Sequence, residues 1–179
     1  MGDAVAVREA SSADIDAAVA LWTMSHVVRR NGRPLPEGHI ASAHQRMAEP
    51  GAMLLLAQDL AQGDRESAEE GQQPGLIGTI IGVQGRDKDG AGSPIPGLLH
   101  ISLLSVAPDR WGQHVGRLLV EEMISRSSEL SFEQAQLWTH ADNLRANRLY
   151  KAMGFRRSGR VRVDDWGELL VHYRRALAV

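Results

Sequence analysis

The sequence predicts an α/β fold with a mixed sheet, in the element order β-α-α-β-β-β-α-β-α-β-β. Three observations predict it. Apolar runs of strand length recur along the chain. Between them lie stretches whose apolar residues fall at i, i+3, i+4 and i+7, the period of a half-buried helix. Ser, Asn, Gly or Pro marks most of the switches, where a cap or a turn is required. With 179 residues, one domain covering 1–179 is expected, large enough to bury a core without staples.

Val5 and Val7 begin the first strand. Ser11 or Ser12 can cap the helix that follows, whose face carries Ile15, Val19 and Trp22 and which should stop near Asn31 and Gly32. GRPLPEG is a turn, and residues 37–48 form a second helix leading to Pro50. AMLLLAQ and LIGTIIGV read as the two strands of a hairpin. Residues 59–75 between them hold Asp59, Asp64, Glu66, Glu69 and Glu70 with almost no core formers, the composition of a long exposed loop. GRDKDGAGSPIPG is a second loop, and GLLHISLLSV is a strand. Val115, Leu118, Leu119 and Met123 give the third helix its inward stripe. QLWTH is a strand, residues 144–153 form the fourth helix, and strands follow near 155–163 and 168–176.

Composition removes several functions. The chain has no cysteine, which excludes disulfides, thiolate metal sites and a cysteine nucleophile, and suits a reducing compartment. Its start lacks a basic segment followed by an apolar one, and no apolar run reaches membrane length, so a cytoplasmic location with no membrane partner is expected. A net charge of −2 argues against nucleic acid as a partner. Arg156, Arg157, Arg160 and Arg162 cluster, but the alternation with Val161 and Val163 reads as the solvated face of a strand. The seven histidines form no HExxH or similar spacing, so no metal is expected.

Two segments carry chemistry. LLSVAPDRWGQHVGRLL, residues 103–119, passes from a strand through a Pro and Gly loop into a helix. Backbone N–H groups without intrahelical partners and the helix dipole make such a junction an anion site. It is neither GxxxxGK[ST] nor GxGxxG. ADNLRANRLYKAMGF, residues 141–155, places Ala146, Leu149, Tyr150 and Met153 on one helical face. Asp142 or Asn143 can cap its start, and Gly154 can end it in a left-handed conformation.

Together these segments resemble the GNAT acetyltransferase superfamily. Val106, Pro108, Gly112 and Gly116 match its V-x-P-x-x-R-G-x-G-x-G loop, and Asn143, Ala146, Leu149, Tyr150, Gly154 and Phe155 match N-x-x-A-x-x-L-Y-x-x-x-G-F. Trp111 stands where Arg or Gln is usual, and His114 where the middle Gly is usual. A Cβ at 114 fits such a loop when φ is negative or the loop relaxes.

The resemblance implies a mostly antiparallel central sheet flanked by helices. It also implies direct acetyl transfer from acetyl-CoA, as co-substrate, to a primary amine of a small molecule or protein. Leu104, Ser105 and Val106 would pair with the pantetheine arm. Trp111, Gly112, Gln113, His114, Val115, Gly116 and Arg117 would hold the pyrophosphate. Asn143 and Asn147 are candidate cofactor contacts. Tyr150 is the candidate general acid, protonated at neutral pH because a phenol ionises near about pH 10. His100 is the candidate general base, since imidazole titrates near about 6.5, and His140 is its alternate. Asp164, Asp165 and Trp166 could attract a cationic amine. A non-catalytic acyl-CoA sensor is the alternative function, and a phosphate- or nucleotide-binding module a third. Exposed strand edges leave room for a homodimer.

Overall fold

The computed structural model describes residues 5–62, 73 and 75–178. Strands and helices follow the expected order: β1 (Val5–Glu9), α1 (Ile15–Arg29), α2 (His39–Met47), β2 (Met53–Asp59), β3 (Leu76–Arg86), β4 (Pro94–Val106), α3 (Val115–Glu129), β5 (Gln134–His140), α4 (Leu144–Ala152), β6 (Arg156–Val163) and β7 (Leu169–Ala176). The seven strands are hydrogen-bonded in the order β1-β2-β3-β4-β5-β7-β6. The chain falls into two compact units, Met1–Ile81 with Leu103–Leu119 and Gly82–Ser102 with Val120–Val179.

In the first unit β1 runs antiparallel to β2, with Val5 opposite Asp59 and Glu9 opposite Leu55. Leu54, Leu55, Leu56 and Ala57 of β2 are all buried. A continuous apolar run of this kind is what a strand covered on both faces requires. At the start of the first helical segment Ser11 is the N-cap and forms a capping box with Asp14. The Asp14 carboxylate accepts from Ser11 N at 2.8 Å and from both terminal nitrogens of Arg8 at 2.8 Å. α1 turns Ala18, Val19, Leu21 and Trp22 inward. It ends at Asn31 (φ 55°) and Gly32 (φ 81°), where Gly32 N donates to Val27 O at 2.9 Å. Gly78 lets β3 and the first turns of α3 approach closely, because a Cβ there would stand 2.8 Å from Leu119 Cδ1.

In the second unit β4 pairs parallel with β5, from Leu98 opposite Gln134 to Ile101 opposite Leu137. β5 runs antiparallel to β7, with Gln134 opposite Ala176 and His140 opposite Leu170. β6 pairs antiparallel with β7, with a register shift between Arg157 and Val161. Leu99, Ile101, Met123, Leu137, Phe155 and Tyr173 are the largest apolar and aromatic side chains sealed in this unit.

The structure corrects two readings. Residues 94–96 belong to β4 and 85–86 to β3, although their Pro and Gly content suggests a loop. Proline is tolerated where a strand begins, because no ladder donor is needed there. Asp59 is not in an exposed loop: it ends β2 with 2% exposure and forms an ion pair with Arg110. Of the rest of that expected loop, residues 63–72 and 74 lie outside the described residues. On β6 every residue is exposed, the four arginines included, in keeping with a solvated strand face; the guanidiniums of Arg160 and Arg162 also lie over the Trp138 ring, 5.2 and 4.8 Å from its centroid.

Candidate functional site

In the first unit, β4 reaches the loop through a strained residue. Leu103 has φ 51°, a left-handed conformation that a branched side chain occupies only where the surroundings impose it. Leu104 and Val106 are half-buried and Ser105 is buried. The Val106 carbonyl accepts two hydrogen bonds, from Ser25 Oγ at 2.9 Å and from the Trp111 indole N–H at 2.8 Å. A carbonyl oxygen has two lone pairs, so this one is fully used. Trp111 therefore has a local task that the usual Arg or Gln could not perform in the same way: its ring folds back and fixes the loop to the end of β4.

A short 3₁₀ turn, Pro108–Arg110, follows. Gly112 then has φ 80° and His114 φ 64°. Left-handed residues alternating with ordinary ones are the backbone pattern of an anion nest, and within it the Gln113 N–H donates to Arg110 O at 3.3 Å. The N–H groups of the first turn of α3, Val115 and Gly116 among them, add donors that no earlier helical carbonyl can take. Gly112, Gln113, His114 and Arg117 are exposed, and Val115 is buried as the helix anchor. The condition of a negative φ at His114 is not met, so its side chain is carried in a backbone conformation that favours glycine.

In the second unit, Asn143 caps α4, accepting from Ala146 N at 3.2 Å. Gly154 (φ 84°) stops the chain after the helix, with its N–H donating to Lys151 O at 3.1 Å. Tyr150 sits on the inner face with 5% exposure. Its ring meets Phe155 edge-on at 5.8 Å and Tyr173 at 6.0 Å. Burial pushes its phenol far above the usual tyrosine range. Asn147, on the same helix, is engaged internally. Its Nδ2 donates to His140 O at 3.0 Å and Asn143 O at 2.8 Å, and its Oδ1 accepts from the Tyr173 hydroxyl at 2.6 Å. His100 lies half-buried on β4, opposite Gln136 in the register.

Two further groupings in this unit have no local sequence signal. His140 Nε2 lies 2.9 Å from Asp164 Oδ2 and 3.1 Å from Glu168 Oε2. Burial disfavours the Asp164 charge. The hydrogen bond from His140 and those from the Glu168 and Trp166 amides outweigh it and hold the carboxyl below its usual range. On β6, β7 and β5, Ser158 Oγ lies 2.7 Å from His172 Nδ1, and His172 Nε2 lies 3.1 Å from Gln136 Oε1. A neutral ring with its proton on Nε2 fits both contacts. Burial, followed by the charges of Arg160 and Arg174, brings His172 down to about 4. Only strand register brings these residues together, and a linear scan for ligand spacing does not see register.

The geometry of the two units can be compared with known proteins. The Acetyltransferase (GNAT) family profile matches residues 39–155. Peptidyl-lysine N-acetyltransferase YjaB of Escherichia coli (strain K12) is 38% identical over 69 residues, 38% of this chain and 44% of that protein. Its counterpart in Salmonella typhimurium (strain LT2) is 35% identical over the same length and shares. The chain thus spans less than half the length of the curated relatives it matches. A GCN5-related N-acetyltransferase from Kribbella flavida superposes with a TM-score of 0.69 at 22% identity, over 97% of this chain and 98% of that one. The ribosomal-protein-S18-alanine N-acetyltransferase from Escherichia coli superposes with a TM-score of 0.65 at 16% identity, over 98% and 96%. These two likenesses are of fold. The profile covers well over half of the chain and takes in both the left-handed loop before α3 and the helix that carries Tyr150, so the chain belongs to the GNAT acetyltransferase family.

Proposed function

We propose that the chain is an acetyl-CoA-dependent N-acetyltransferase that moves an acetyl group directly to a primary amine. The observation that carries the reading is Tyr150: a phenol on the inner face of a capped helix, kept protonated by burial, at the position of the family's tyrosine. The loop of the first unit fits the phosphates of the co-substrate. Its left-handed residues and the start of α3 are the assigned backbone donors, from Gly112 to Arg117 apart from Gln113, whose N–H donates to Arg110 O at 3.3 Å. Leu104 and Ser105 are assigned to the pantetheine arm. Val106 takes part through its N–H, since its carbonyl is already used. Asn143 is assigned as a further polar contact to the co-substrate.

The co-substrate supplies an acetyl group activated as a thioester. The residues of the chain handle position and protons. His100 takes the proton that the amine releases as the N–C bond forms, directly or through water, and His140 is its alternate. Tyr150 donates its O–H toward the sulfur as the C–S bond breaks, and the proton from the amine restores it. Burial makes the phenol a reluctant acid. Its action is a hydrogen bond to the developing thiolate that becomes proton transfer as charge builds. The acceptor is a lysine or N-terminal amine of a protein, or a small amine, in keeping with relatives named for peptidyl-lysine and ribosomal-protein alanine.

Incubating the full chain with acetyl-CoA and a panel of lysine peptides, N-terminal peptides and small amines, with free thiol as the readout, tests the reading. Turnover is expected on at least one acceptor, with Tyr150→Phe lowering kcat about tenfold or more and leaving acetyl-CoA binding intact. An unchanged kcat in Tyr150→Phe would remove the assigned acid. Two observations favour the second reading, a non-catalytic acyl-CoA sensor: the strained His114 and the saturated Val106 carbonyl both reduce what the loop offers a ligand. Binding of acetyl-CoA with no thiol release on any amine would establish it.

A further inference from the structure

We propose that His140, Asp164 and Glu168 form a binding site for a divalent first-row transition ion such as Zn²⁺. The register places them. His140 is the last residue of β5 and stands opposite Leu170, so its ring reaches the 164–168 turn that joins β6 to β7. All three side chains are partly shielded, with relative exposures of 15%, 19% and 29%. One donor atom from each lies within 4.8 Å of the others.

The contacts converge on a single atom. Both carboxylate oxygens approach His140 Nε2, at 2.9 and 3.1 Å. An imidazole nitrogen has one proton or one lone pair in the ring plane, so it cannot direct a good hydrogen bond along both lines. Neighbouring ligands of one ion behave differently. With bonds of about 2.0–2.2 Å, adjacent donors of a tetrahedral shell stand about 3.3–3.6 Å apart, a spacing that the two His140–carboxylate separations, 2.9 and 3.1 Å, reach by opening a few tenths of an ångström. The three atoms form one face of a coordination shell and leave the outer positions to water.

The remaining atoms of Asp164 are already fixed. Its Oδ1 accepts from the Trp166 and Glu168 amides, each at 2.9 Å, and Oδ2 is left facing the cluster. Such support orients a ligand and keeps it anionic. One imidazole with two carboxylates suits Zn²⁺, Co²⁺ or Mn²⁺. Calcium prefers an all-oxygen shell of more ligands, and copper(I) prefers sulfur. A bound ion would tie the 164–168 turn to the end of β5. From there the chain passes directly to α4, whose Asn147 holds the His140 carbonyl.

The test uses the full chain, stripped with a chelator and titrated with Zn²⁺ by calorimetry and with Co²⁺ by visible absorption. About one equivalent should bind, and Zn²⁺ should raise the thermal midpoint. Glu168→Gln and Asp164→Asn should each weaken Zn²⁺ binding at least tenfold, on the order of what loss of a ligand contact costs. His140→Asn should remove the Co²⁺ spectrum. Far-UV circular dichroism of the metal-free variants identifies any that do not fold, and Glu168→Gln, the change furthest out on the turn, carries the test if another fails. Absence of stoichiometric binding, or equal affinity in the wild type and every folded variant, would overturn the proposal.

Discussion

Arg110 and Asp59 form a buried ion pair inside the first unit, between the 3₁₀ turn that precedes the Gly112 loop and the end of β2. The arginine is 9% exposed and the aspartate 2%. The second oxygen of Asp59 accepts from Ala61 N at 2.9 Å. The pair therefore fixes the chain that leads into the loop to a strand far away in sequence. Removing either partner strands a charge in the interior. Arg110→Ala and Asp59→Ala should each destabilise by about 3–5 kcal/mol, read as the urea midpoint. The double replacement Arg110→Met with Asp59→Leu should cost less than the sum of the two single changes.

The conformation of His114 predicts an improvement. A left-handed backbone costs a residue with a Cβ on the order of 1–2 kcal/mol, partly offset when glycine gains freedom in the unfolded chain. The side chain is exposed, so little packing is lost. His114→Gly should stabilise the chain by about 0.5–1 kcal/mol and tighten acetyl-CoA binding. His114→Val should do the opposite, because branching worsens the clash. Paired chemical unfolding and CoA titration read both effects. A less stable glycine variant would show that the imidazole makes a contact that outweighs the strain.

His172 gives the fold an acid-sensitive group. Its pKa is brought down to about 4 in the fold, against about 6.5 in an unfolded chain. The unfolded state thus binds the proton more readily between these values. Stability contributed by the neutral ring is complete above about pH 6.5 and is lost as pH falls toward about 4. The carboxylate Asp14, held below its usual range by Arg8, acts in a lower window, below about pH 4. Urea midpoints measured from pH 7 to 4 should fall in the wild type and fall less steeply in His172→Gln. Parallel curves for the two proteins would place the sensitivity elsewhere.

Asn147 separates a structural role from a contact with the cofactor. Asn147→Ala takes away the acceptor of the buried Tyr173 hydroxyl, while the His140 and Asn143 carbonyls keep their backbone donors, Asn143 N at 3.1 Å and the residue-147 N–H at 3.0 Å. A loss of about 1–3 kcal/mol in stability is expected. A variant of unchanged stability whose KM for acetyl-CoA rises would instead identify Asn147 as a ligand of the cofactor.

The element order was legible because each element declares itself locally. Val19 and Trp22 on α1, the LLLA run of β2 and the Tyr150 face of α4 require no knowledge of distant residues. What escaped depends on partners. The alternation of Arg and Val on β6 marks an exposed strand, but that Arg160 and Arg162 lie over Trp138, on a strand two places away, depends on strand order. The acidic character of residues 59–75 gave no sign that Asp59 would find Arg110. In the candidate site, the Gly112 loop and the Tyr150 helix were legible because their motifs are contiguous. The His140 cluster was not, since His140 lies 24 residues or more from Asp164 and Glu168 and meets them through register.

The outer edge of the sheet has a colloidal consequence. β6 is a terminal strand with every residue exposed, and two of its apolar side chains face solvent. Such an edge invites a second copy to add a strand. Arg156, Arg157, Arg160 and Arg162 along the same eight residues make that approach a meeting of like charges, so they act as gatekeepers against edge-to-edge growth. Salt screens that repulsion over a Debye length of about 8–10 Å at ordinary ionic strength. The solubility of this chain should therefore fall as salt rises, and charge-reversing any two of these arginines should promote self-association.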